Sequence, residues 1–69
     1  MFKRGDLVVL KDKLYSQIYY LDFQNKELYE MYFGVEGVVV DFLEDSIFVV
    51  FDREIEKVDC SYLEKRGGN

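Results

Sequence analysis

Apolar positions along the chain fall into short runs separated by polar or glycine-containing breaks. Leu7-Val8-Val9-Leu10 follows Gly5, and Val38-Val39-Val40-Asp41-Phe42-Leu43 follows Gly34 and Gly37. Glu44-Asp45 interrupts, after which Ser46–Phe51 alternates with Ile47, Val49 and Phe51 on one face. Runs of β-branched and aromatic residues bounded by turn-forming residues predict strands. Asp52-Arg53-Glu54 predicts the next turn, with residues 55–59 returning as a fourth strand. Ser61-Tyr62-Leu63 suits one tight turn before a short last strand near Glu64-Lys65.

Residues 11–33 support two readings. By twos, Tyr19, Leu21 and Phe23 face one way and pair with Tyr29, Met31 and Phe33 across a turn at 24–27. By helical spacing, Asn25 is an N-cap, Leu28, Met31 and Tyr32 line one face, and Gly34 is the C-terminal stop. Glu27 and Glu30 near the start suit the helix dipole. Cap and stop favour a short helix over about 26–33, preceded by an irregular excursion that packs its aromatics back on the sheet.

The expected fold is therefore mainly β: a small closed or nearly closed barrel of four to five strands, with one short helix in the long first connection. Closure would remove exposed strand edges, a hazard for so apolar a chain. Residues 1–65 make one domain and 66–69 a flexible tail. A chain of 69 residues has a thin stability margin, and small domains often add disulfides or a metal to widen it. With Cys60 as the single cysteine and no histidine, neither an internal disulfide nor a histidine or paired-cysteine zinc site can be built. Compensation must be apolar, and 49% hydrophobic residues with six Phe and six Tyr agree. The lone cysteine and the lack of a secretory leader lead to the expectation of a reducing, cytoplasmic setting. No apolar run approaches the roughly 20 residues of a membrane helix.

Net charge is −5, unevenly placed. Residues 1–13 carry Lys3, Arg4, Lys11 and Lys13 against Asp6 and Asp12, net +2. Residues 36–59 carry Glu36, Asp41, Glu44, Asp45, Asp52, Glu54, Glu56 and Asp59 against Arg53 and Lys57, net −6. Such an acidic half repels phosphate backbones and disfavours nucleic-acid binding.

The order Gly5-Asp6-x-Val8-Val9-Leu10, Gly34-x-x-Gly37-x-Val39-Val40-Asp41, Asp45-x-Ile47-x-Val49-x-Phe51-Asp52, Val58 and Leu63-Glu64 resembles SH3-like small barrels. The nearest type is the KOW-related, YorP-like group of small phage and Gram-positive bacterial proteins. The resemblance spans residues 2–65 and implies a phage or prophage origin and a binding role. It also implies that Arg4-Gly5-Asp6 is a turn before the first strand, not an adhesion signal. The chain departs from RNA-binding KOW barrels in having Glu36 in the matching turn. It departs from proline-peptide-binding SH3 domains in having no Trp. Neither set of binding residues transfers.

Catalysis is not expected. Without histidine, acid–base work near neutral pH needs a shifted carboxylate, lysine or thiol. Glu44-Asp45 sits in a tight turn, and Glu54 and Glu56 alternate with Ile55 and Lys57 as on a solvated strand. No spacing matches a calcium loop. Asp59 beside Cys60 disfavours a reactive thiolate, so a half-buried structural cysteine is expected.

Twelve phenylalanine and tyrosine rings exceed what so small an interior can hold. Tyr15, Tyr19, Tyr20, Tyr29 and Tyr32 all fall in the first connection and are the candidate aromatic patch for a protein partner. Self-association is compatible with such a patch, and no cofactor is implied. A second reading makes the eight carboxylates of residues 36–59 a phosphate mimic that blocks a nucleic-acid enzyme. A third has Lys3, Arg4, Lys11 and Lys13, with nearby tyrosines, contact nucleic acid directly.

Overall fold

A computed structural model describes residues 1–66; residues 67–69, most of the expected tail, lie outside the described residues. The strands are β1 (Leu7–Leu10), β2 (Gly37–Leu43), β3 (Ser46–Phe51), β4 (Glu54–Asp59) and β5 (Leu63–Lys65). They form one antiparallel sheet in the order β4-β3-β2-β1-β5. The first connection holds a helical turn α1 (Asp12–Tyr15), a 3₁₀ turn (Ile18–Tyr20) and a helix α2 (Phe23–Tyr32). A second 3₁₀ turn (Cys60–Tyr62) joins β4 to β5.

The chain is mainly β, as expected, but the sheet does not close. Among the described residues no ladder joins β4 to β5. The interior is filled from α2 instead. Tyr32 stacks on Phe51 and donates to Glu56 Oε2 on β4 at 3.3 Å. Tyr29 donates to the Lys11 carbonyl just past β1 at 3.1 Å. Two rings from one helix thus reach towards both edges of the sheet.

The helix starts earlier than its expected 26. Asp22, not Asn25, is the N-cap, its carboxylate accepting the Asn25 N–H at 2.9 Å. The expected stop at Gly34 is present: its φ of +83° lets the chain leave the helix while the Val35 N–H donates to the Tyr32 carbonyl. The buried face is Leu28, Tyr29 and Tyr32, whereas Met31 is exposed.

The bend of β2 makes one sheet serve both halves of the fold. Its register with β3 slips between Val39 and Asp41, a bulge that turns the strand. Before it, Leu7 pairs with Val38 and Val8 with Gly37; beyond it, Phe42 pairs with Ile47. A Cβ on Gly37 would lie 2.5 Å from Val49 Cγ1, so glycine here leaves room for the Val49 and Phe51 side chains. Val8, Leu10, Val39, Ile47, Val49, Phe51, Val58 and Leu63 complete the core with the helix residues. Arg4-Gly5-Asp6 lies in a turn closed by the Asp6 N–H on the Lys3 carbonyl at 3.0 Å, with Gly5 at φ +91°.

Candidate functional site

The five tyrosines of the expected patch do not stay together. Tyr29 and Tyr32 are core residues, a correction with a plain cause: helical spacing from Leu28 turns both toward the sheet. Burial, then the neighbouring Tyr62, pushes the Tyr29 phenol up to about 12. Burial, then Glu56, raises Tyr32. Tyr15 stands between the two groups, its ring 4.2 Å from that of Phe33.

Tyr19 and Tyr20 remain, at 82% and 91% exposure, and Phe23 joins them at 76%. These three rings occupy the 3₁₀ turn and the first residue of α2. Ile18 and Leu21 in the same stretch pack against the core. The segment is therefore anchored by its aliphatic residues and presents its aromatic ones outward. Lys26 Nζ lies 5.2 Å from the Tyr19 ring centroid, within cation–π range. Phe23 was missed because Asn25, read as the N-cap, left it in the irregular excursion before the helix. Its signal was the Asp22 cap, which puts it at the outward-facing start of a helix.

The carboxylates also part company. Asp41 accepts from Arg4 Nη2 at 2.8 Å and from the Phe42 N–H. The Phe42 bond, then Arg4, holds it below the usual aspartate range. Asp59 accepts from the N–H and hydroxyl of Ser61, which lower its pKa in that order. It caps the second 3₁₀ turn. Glu54 and Glu56 lie opposite the buried Phe51 and Val49, on the sheet face that carries the core, but Glu54 itself remains exposed. Glu56 is half-buried against Tyr32. Of the eight acidic residues seven are exposed and Glu56 is half-buried.

Cys60 is exposed, not half-buried; the 3₁₀ turn holds its side chain outside while Tyr62 and Leu63 turn inward. Among the described residues no three Cys, Asp or Glu side chains converge as a metal-binding group. No helix there is long and apolar enough to cross a membrane. No protein-family model matches the chain, and neither a curated protein nor a solved structure matches it.

Proposed function

We propose that this chain is a non-catalytic protein-binding module that docks through Tyr19, Tyr20 and Phe23. The observation that carries the reading is the near-complete exposure of three consecutive-turn rings at 82%, 91% and 76%. Rings on a short, anchored segment lose little conformational freedom on binding, which is why Tyr dominates interface hot spots. The strand order β4-β3-β2-β1-β5, with a 3₁₀ turn before the last strand, supports an SH3-like arrangement. A cytoplasmic, phage-encoded modulator of a host complex is the setting that the resemblance favours.

A photo-crosslinking residue in place of Tyr20 tests the reading in the source cell. One discrete adduct with a different protein, lost in a Tyr19→Ser/Phe23→Ser background, is the expected result. An adduct at twice the mass of the chain would make the partner a second copy. Equal capture with and without those two rings would reject the ledge as the docking site.

A further inference from the structure

Among the described residues β4 pairs with β3 alone, which leaves its other edge free. Phe51 and Glu54 flank a two-residue loop and so form a hydrogen-bonded pair. By antiparallel alternation Glu54, Glu56 and Val58 direct their backbone groups to β3, while Ile55 and Lys57 direct theirs outward. Among the described residues no backbone hydrogen bond from another element reaches this edge. A cavity of about 420 Å³ runs beside it, lined by Glu27, Leu28, Met31 and Tyr32 of α2 and by Glu56 and Lys57 of β4. Adjacent strand residues point to opposite faces, so a cavity touching both Glu56 and Lys57 lies along the edge itself.

The two faces beside that edge differ in chemistry. On the inner side Glu56 and Glu27 stand beside Leu28 and Tyr32, and Glu54 follows on the same face of β4. On the outer side the register places Leu7, Val38, Val50 and Ile55 in one cross-strand row over four strands. That aliphatic row ends at Ile55, 65% exposed, on the free edge. A second copy does not complete it. Two-fold antiparallel registers centred on Ile55, Glu56 or Lys57 set Glu54 against Glu56, Glu56 against itself, or Lys57 against itself. A register centred on Val58 pairs too few residues before the chain turns at Cys60.

We infer that β4 accepts an extended segment of a different protein as a sixth strand, one that alternates cationic and aliphatic side chains. Its cations reach Glu54, Glu56 and Glu27 while their methylene stems cover Leu28 and Tyr32; its aliphatic side chains extend the row beyond Ile55. This site is separate from the Tyr19–Tyr20–Phe23 ledge.

The test is amide NMR of the isotope-labelled chain titrated with a blocked hexapeptide of alternating lysine and valine, beside one of alternating glutamate and valine. The expected result is binding with Kd below about 1 mM, for the lysine peptide only. It should shift and protect the Ile55 and Lys57 amides and weaken as salt rises. Glu27→Lys, on the exposed side of α2, should weaken it about fivefold. Lys57→Pro removes an outward N–H without touching the β3 ladder and should abolish it, with unchanged Val58 and Tyr32 signals showing that the fold survives. No binding, equal binding of the glutamate peptide, retention by folded Lys57→Pro, or shifts confined to Tyr19, Tyr20 and Phe23 would each overturn the proposal. If Lys57→Pro does not fold, an unaltered affinity in Glu27→Lys overturns it instead.

Discussion

The ring of Tyr32 lies on that of Phe51 with centroids 4.9 Å apart and planes 15° from parallel, joining α2 to the end of β3. The pair unites the long first connection with the sheet, because the same phenol also donates to Glu56 on the neighbouring strand. Tyr32→Phe keeps the stack and loses the bond, so it should cost about 1 kcal/mol. Tyr32→Ala removes both and should cost about 3–5 kcal/mol. Urea unfolding of the two variants separates the contributions; equal losses would mean that the ring contributes nothing beyond its hydroxyl.

Gly37→Ala should destabilise the fold by about 1–3 kcal/mol. The added methyl meets Val49 Cγ1 at 2.5 Å and two Phe51 ring carbons at 2.8 Å, all in the core. Both neighbours would have to shift within the packed core. Thermal unfolding reads the loss directly, and a variant as stable as the parent would refute the close approach.

The β3–β4 hairpin should gain stability from Arg53→Gly. Asp52 and Arg53 both have positive φ, at 49° and 72°, the backbone of a type I′ turn. Arg is strained there and glycine is not, so relief of about 0.5–1 kcal/mol is expected. A fall in the denaturation midpoint would show that the Arg53 side chain makes a contribution larger than its strain.

Alkaline titration should unfold the protein through its two buried tyrosines. In the unfolded chain each phenol loses its proton near pH 10. In the fold Tyr29 is pushed up to about 12, and Tyr32 is raised as well, in both cases chiefly by burial. The folded state then holds more protons between these values, so stability falls as pH rises from about 10 towards 12 and is unaffected below. Tyr29→Phe/Tyr32→Phe should flatten that decline in chemical denaturation across the range; an unchanged slope would place its origin elsewhere.

Tyr19→Ser and Tyr20→Ser should leave stability within about 0.5 kcal/mol of the parent. Both rings stand in water at 82% and 91% exposure, so truncation removes almost no packing. Calorimetry checks this. A loss of several degrees in Tm would mean that these rings support the fold, and it would remove the reason to assign them to docking.

The strands were legible because period-two burial leaves its mark residue by residue. Ile47, Val49 and Phe51 alternate with Ser46, Phe48 and Val50, and the structure buries the first three. The turns were equally plain, being set by local backbone preferences at Gly5, Glu44-Asp45 and Asp52-Arg53. The sequence by itself thus determined a mainly β chain with its breaks in place, and it left the first connection between a hairpin and a favoured helix stopping at Gly34.

Only the tertiary structure decided which rings are core and which are surface. Tyr29 and Tyr20 are the same residue in the same apolar-rich connection, yet one is wholly buried and the other wholly outside. The difference arises from where the Asp22 cap sets the phase of α2, and from which element lies opposite. Tertiary contacts likewise set Glu56 half-buried against Tyr32, left the sheet open between β4 and β5, and exposed Cys60. Burial is a property of two surfaces that meet, and residues distant in the chain supply the second surface.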